Sequence, residues 1–198
     1  MALPSLAPPP ALRRPRVLVV GTTFASVAAV MLFVGLVGTY LLTRSASLAA
    51  TGEWLPSGSS IPLTQPHVML AGLLMSSITI QWAVSAVAND DRQNTYLALG
   101  LTTVFGIAYL NMTAYLYSVM ELEIAASEAA VLIYAISGAH VAMAVVAMFF
   151  VAFMAFRALA GQYTSRQHDG ISAAALFWHV MVGVYALIWL TVYASVSL

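Results

Sequence analysis

The sequence predicts an all-α fold, a polytopic membrane helix bundle with five transmembrane helices, and three observations predict it. Charged side chains make up 7% of the 198 residues and hydrophobic ones 62%, whereas a soluble domain carries about 25% charged residues. Mean hydropathy is +0.92. The apolar residues fall into five runs, about 17–42, 66–87, 94–117, 129–156 and 171–193, each as long as the roughly 20 residues of helix that cross a hydrocarbon core. The fourth run contains no Asp, Glu, Lys or Arg. As a helix its 28 residues reach about 42 Å, and the other four are expected to pack beside it.

Residues 1–16 are Pro-rich and are expected to form a disordered cytoplasmic segment ahead of a transmembrane domain, 17–198. The run from Val17 is too long for the apolar region of a signal peptide. In the first span, Gly35 and Gly38 could offer a smooth face for helix contact, although glycine is common in membrane helices for other reasons. Ser45–Gln65 reads as a polar loop with Trp54 at the membrane interface. Pro66 suits the start of the second span, where its missing N–H costs little. In the third span, Tyr96 at one end and Tyr115 and Tyr117 at the other match the aromatic belts of membrane helices. Asn111 and Thr113, inside that span, are expected to bridge to neighbouring helices.

Five spans put the termini on opposite sides of the membrane. Arg13, Arg14, Arg16, Arg92, Arg157 and Arg166 then share one side, with Arg44 alone on the other. The positive-inside rule places the N-terminus in the cytoplasm and the C-terminus outside. Seven basic and seven acidic residues balance, which leaves no electrostatic footprint for nucleic acid. The absence of cysteine excludes disulfides, thiolate metal sites and a cysteine nucleophile. There is no Gly-rich phosphate loop, no paired intramembrane carboxylate and no other catalytic set, so no catalytic, metal or cofactor-binding residue is assigned to this chain.

The candidate residues are therefore structural, or contacts to lipid and subunits: His140, His179, Trp178, Tyr117, His67 and His168. His67 and His168 lie at span ends, where hydrogen bonding at the interface accounts for them. His140 and His179 lie within spans, where an ionisable side chain either bonds a neighbouring helix or has a functional role. Axial ligation of a b-type haem is the sharp alternative. Counted from the span ends, the two differ in depth by roughly 10–15 Å, too far apart for ligands of one haem. The aromatic set Phe177, Trp178, Tyr185, Trp189 and Tyr193 could line a quinone pocket or simply pack and anchor the helix.

Several strings carry a family resemblance. His168–Tyr193, HDGISAAALFWHVMVGVYALIWLTVY, resembles the H-x-x-G-x-x-A-A…Y-W-H-F-V-D-x-V-W…V-Y segment of subunit III of haem-copper cytochrome c oxidases. Phe177, Trp178 and His179 stand at Y-W-H, and Val182 stands where the family often has Asp. Ser137–Val141, SGAHV, resembles the end of T-G-x-H-G-x-H-V. Leu73–Ala83, LLMSSITIQWA, resembles L-L-x-S-S-x-T-x-x-x-A. In Leu101–Tyr117, Gly106, Tyr109 and Tyr117 keep the family's places, while Thr113 and Leu116 replace its Gln and Glu. Met31–Tyr40 resembles the run after the first-span S-E-L motif, with Ala29 at the position of the intramembrane Glu.

The resemblance spans about Leu18 to Tyr193 and is similar to five-helix bacterial members. It implies a non-catalytic subunit of a respiratory terminal oxidase in the bacterial plasma membrane. Such a subunit packs on subunit I, sits with subunit II and other respiratory-complex subunits, and binds phospholipid. It supports proton uptake and sustained turnover, while haem and copper reside in the partner subunits. The enzymatic activity would belong to the whole cytochrome c oxidase, a proton-translocating oxidoreductase. The alternatives are a small b-haem electron-transfer cytochrome and a subunit III-like accessory protein of a nitric oxide reductase. A transporter is disfavoured because five spans do not divide into the repeats common in that class.

Overall fold

The computed structural model describes residues 16–194 except 57, 60, 121, 125 and 126; the expected disorder of the N-terminal segment lies, but for Arg16, outside them. Five helices follow one another: α1 Val17–Thr51, α2 Thr64–Ala88, α3 Arg92–Val119, α4 Glu128–Leu159 and α5 Asp169–Ile188, the last prolonged by a π-helical turn, Trp189–Tyr193. All five are long and apolar enough to cross a membrane.

α1 continues nine residues past the expected end at Leu42, so Ser45–Thr51 is helix and not loop. The hydroxyls of Ser45 and Thr51 bond back to the carbonyls of Leu42 and Ser47, which satisfies them without unwinding the helix. The stop comes at Gly52, whose φ of 75° and N–H bond to Leu48 form a left-handed cap. Asp91 caps α3, its carboxylate accepting from the Asn94 N–H at 3.0 Å, and Ser127 caps α4 through the Ala130 N–H at 3.1 Å.

α2 and α3 form a tight antiparallel hairpin, joined by Asn89–Asp91 and paired along their length. α5 lies against α1, α2 and α4 and is the most enclosed helix: 61% of its apolar window is buried, against 17–33% for the others. The bundle is therefore built around α5, not around the charge-free α4. In a membrane an all-apolar run marks depth, and does not by itself distinguish a helix facing lipid from one facing protein. Outward faces confirm the division: Phe149, Phe153 and Phe156 of α4 are 59–72% exposed.

One end of the bundle gathers the N-terminus of α1, the α2–α3 connection and the α4–α5 loop. Arg16 pairs with Asp169 at 3.4 Å, and the Asp90 carboxylate accepts from the Ser165 N–H at 2.6 Å. Arg92, Arg157 and Arg166 belong to this same end. Asp90 has φ 56°, a left-handed conformation that Asp tolerates better than most residues. α4 projects beyond the start of α5 here, because Gly170 lies against Met154, five residues before the last residue of α4.

Gly35 and Gly38 are not points of close approach, since a Cβ on either would meet nothing within 4 Å. Two other glycines are. A Cβ on Gly106 would lie 3.0 Å from Met148 and from Trp178, and one on Gly170 would overlap Tyr163. Thr113 is buried and reaches Met69 of α2 at 3.3 Å. Asn111 does not bridge helices as expected: it is exposed and, among the described residues, its side chain bonds the Ile107 carbonyl of its own helix.

Candidate functional site

A buried polar seam ties α5 to its neighbours. His140 of α4 is fully buried. Its Nε2 lies 3.0 Å from the Met181 carbonyl on α5, and its Nδ1 2.6 Å from the Tyr109 hydroxyl on α3. A carbonyl only accepts, so Nε2 carries the proton and donates, and Nδ1 accepts from Tyr109 in the neutral ring. Phe33, Tyr109 and Tyr185 wall the imidazole at centroid distances of 6.0, 5.4 and 5.3 Å. The Tyr185 hydroxyl in turn donates to the Pro66 carbonyl at 3.3 Å.

Below this node, consecutive residues of α5 engage consecutive serines of α2. The Trp178 indole N–H donates to Ser76 Oγ at 2.9 Å, and the Ser76 hydroxyl donates to the Leu73 carbonyl. His179 sets Nδ1 3.1 Å from Ser77 Oγ and Nε2 3.3 Å from Gln81 Oε1. Trp178 is fully buried, and its far edge reaches the space left by the missing Cβ of Gly106. Thr79 and Thr102 join α2 to α3 at 2.7 Å. Tyr117 of α3 donates to Ser137 of α4 at 2.8 Å.

The expected depth gap between His140 and His179 does not hold. Met181, which receives the His140 bond, is two residues from His179, a rise of about 3 Å. The count from helix ends failed because α4 overshoots α5 and the two ends are not level. The two rings nevertheless turn to different partners. Both nitrogens of His140 are held by protein groups, and His179 faces α2. Among the described residues no group of three His, Asp or Glu is placed to hold a metal. His67 bonds the Leu63 carbonyl and stacks edge-on against Trp189 at 5.2 Å. His168 begins α5 with its Nδ1 shielded and without a hydrogen-bond partner among the described residues. Of the aromatic set on α5, Phe177, Trp178, Tyr185 and Tyr193 are buried in the core cluster, which is packing and not an open pocket.

The pairings that sequence reasoning missed, Tyr109 with His140 and the two serines with Trp178 and His179, all join strings singled out for their resemblance. Ser76, Ser77 and Thr79 of the second span each bond another helix, and the two crowded glycines are both in such strings. The resembling positions are thus the interlocking positions. Comparison with known proteins agrees: the family model for cytochrome c oxidase subunit III matches residues 15–197.

The chain belongs to the cytochrome c oxidase subunit III family.

Its relatives include cytochrome c oxidase subunit 3 of Coturnix japonica, 30% identical over 155 residues, which are 75% of this chain and 58% of the relative. The subunit 3 of Oncorhynchus clarkii is 29% identical over 157 residues, 76% of this chain and 59% of the relative. That of Gallus gallus is 30% identical over 155 residues, 75% and 58% respectively. The chain thus spans a little under three fifths of the length of these relatives.

Proposed function

We propose that this chain is the non-catalytic subunit III of a bacterial respiratory terminal oxidase of the cytochrome c oxidase type. It packs on catalytic subunit I beside subunit II, binds phospholipid, and supports proton uptake and sustained turnover. Haem and copper reside in the partner subunits. The observation that carries the reading is the subunit III match over nearly the whole chain, which takes in the residues Tyr109, His140, Trp178 and Ser76 that bond between helices. A b-haem cytochrome is disfavoured because His140 has both ring nitrogens engaged.

Two grooves between α1 and α4 suit lipid chains. One, of about 550 Å³ near the Arg16 end, is lined by Val17, Leu18, Gly21, Thr22, Ala25 and Phe150. The other, of about 540 Å³ at the opposite end, is lined by Thr39, Thr43, Ser127, Glu128, Val131 and Leu132. The grouping of Arg16, Arg92, Arg157 and Arg166 supports a cytoplasmic N-terminus and an external C-terminus.

The test is to purify the intact assembly in mild detergent, identify its subunits by mass spectrometry, and compare it with the assembly lacking this chain. Without the chain, haem and copper content should be unchanged and activity should decay faster during turnover. Loss of the metal centres, or undiminished long-term turnover, would count against the supporting role.

A further inference from the structure

We propose that the outward edge of α2 formed by Ser77, Gln81 and Ser85, with His179 of α5 bonded into it, is the surface on which a transmembrane helix of the oxidase's catalytic subunit packs. That helix offers a hydrogen-bonding group at the depth of Gln81. The inference rests on the subunit reading above and says where the contact is made.

Residues 77, 81, 85 and 89 recur every fourth position and so share one face of the helix. From Asn89 at the helix end to Ser77 the row climbs about 18 Å. Gln81 and Ser85 are exposed, and Ser77 and His179 are half-buried. Ser85 is satisfied by the Gln81 carbonyl of its own helix. Gln81 is different. Its carboxamide meets His179 with one end, and whichever end that is, the other has no partner among the described residues.

The 25 residues of α2 measure about 37 Å, and a hydrocarbon core about 30 Å. Gln81, seven residues before Ala88, then lies about 7 Å inside the hydrocarbon. Lipid chains offer no hydrogen bond there. α1 carries a row of its own, Thr39, Thr43, Ser47 and Thr51, but the hydroxyls of Thr39, Ser47 and Thr51 bond carbonyls of their own segment. On α1, Thr23 and Thr39 bond their own helix carbonyls among exposed Phe24, Met31 and Leu42. On α3, exposed Asn111 donates to the Ile107 carbonyl of its own helix, with exposed Tyr115 one turn on. A subunit of a catalytic complex must meet its partner through some membrane face, and the edge of α2 combines three polar side chains in a row with one end of the Gln81 carboxamide left for that partner.

A photoreactive benzoylphenylalanine in place of Ile78, beside this edge and 61% exposed, tests the contact in the intact complex. The same group in place of Val104 on α3 or Phe149 on α4 is the comparison. The expected result is an adduct with the catalytic subunit from position 78 and none from 104 or 149. An adduct of twice the chain mass would mean a second copy, and lipid adducts alone, or adducts only from α3 or α4, would place the contact elsewhere. Each of these overturns the proposal. Haem in the same preparations separates the two readings: haem retained with no protein adduct at 78 refutes the α2 contact alone, and no haem with the unaltered chain refutes the subunit reading as well. Gln81→Leu should release the chain from the complex about threefold more readily in detergent washes, the effect of one average intramembrane hydrogen bond. Asn111→Leu should not, and unchanged retention of Gln81→Leu would also overturn the proposal.

Discussion

The Tyr109 hydroxyl lies 2.6 Å from Nδ1 of His140, and this contact decides how a histidine is accommodated at the centre of a membrane bundle. With Nε2 donating to the Met181 carbonyl, Tyr109 is the partner of Nδ1 among the described residues. One imidazole thereby links α3, α4 and α5 with no group of its own left open.

Tyr109→Phe keeps the ring packing and removes the donor. A buried acceptor left unpaired costs about 1–3 kcal/mol, so thermal unfolding of the purified chain in detergent should shift downward. His140→Ala should lower it further, by adding a cavity and removing the ring that bonds both the Met181 carbonyl and the Tyr109 hydroxyl. A double-mutant cycle between the two positions should show coupling, and strict additivity would mean that the bond contributes nothing.

Gly106 and Gly35 make a matched pair of tests. Gly106→Ala places a Cβ 3.0 Å from Met148 and the Trp178 indole. Met148 can yield, but the indole is held by Ser76, so a loss of about 1–3 kcal/mol is expected. Gly35→Ala meets open space and should be neutral or slightly stabilising within its helix. Unfolding by the same method for both, with Trp fluorescence as a probe of Trp178, checks the contrast.

Acidification should loosen the Arg16 end first. Hydrogen bonds from Ser165, aided by Arg92 and Arg166, hold the Asp90 carboxyl below its usual 3.8, and bonds from Asn94 do the same for Asp91. Folding thus favours the ionised forms. The stabilisation is complete above the ordinary carboxylate value and is lost as pH falls below 3.8 through the folded values. Asp90→Asn preserves the left-handed turn and should lose less stability between pH 5 and pH 3 than the parent chain. Equal acid sensitivity in a pH series of unfolding would exclude the clamp as its source.

Ala29→Glu probes the position where the family resemblance places a carboxylate. Ala29 is half-buried against the core. One turn away, the buried Ser26 hydroxyl has no partner among the described residues, and it can donate only one hydrogen bond to the two oxygens of a carboxyl group. The remaining oxygen would sit in an apolar setting at a cost of about 1–3 kcal/mol. The yield of assembled complex should fall, and full assembly would show that another donor reaches this site.

The number of helices was legible because 62% hydrophobic content and run length report on the solvent around the chain. What surrounds each helix was not. Lipid and protein interiors are equally apolar, so the charge-free α4 looked central when α5 is, and Asn111 gave no sign that it faces outward. His140 and His179 stood out as expensive side chains in a membrane, but their partners came from other spans, and relative depth depends on how far each helix overshoots its neighbour. The end of α1 was hidden because Ser and Thr can bond their own helix as readily as they break it.

The enclosed position of α5 bears on how the chain is made. Synthesis delivers segments from the N-terminus onward, and α5 follows the other four. Until it emerges from the ribosome, α1–α4 lack the element they enclose, with Ser76 and Ser77 missing their partners on α5 and Nε2 of His140 facing no acceptor. A nascent chain halted before Asp169 would be a set of inserted hairpins exposing polar groups within the bilayer. Cellular quality control that inspects membrane proteins for such groups would find its signal here, and the arrival of the fifth helix would extinguish it.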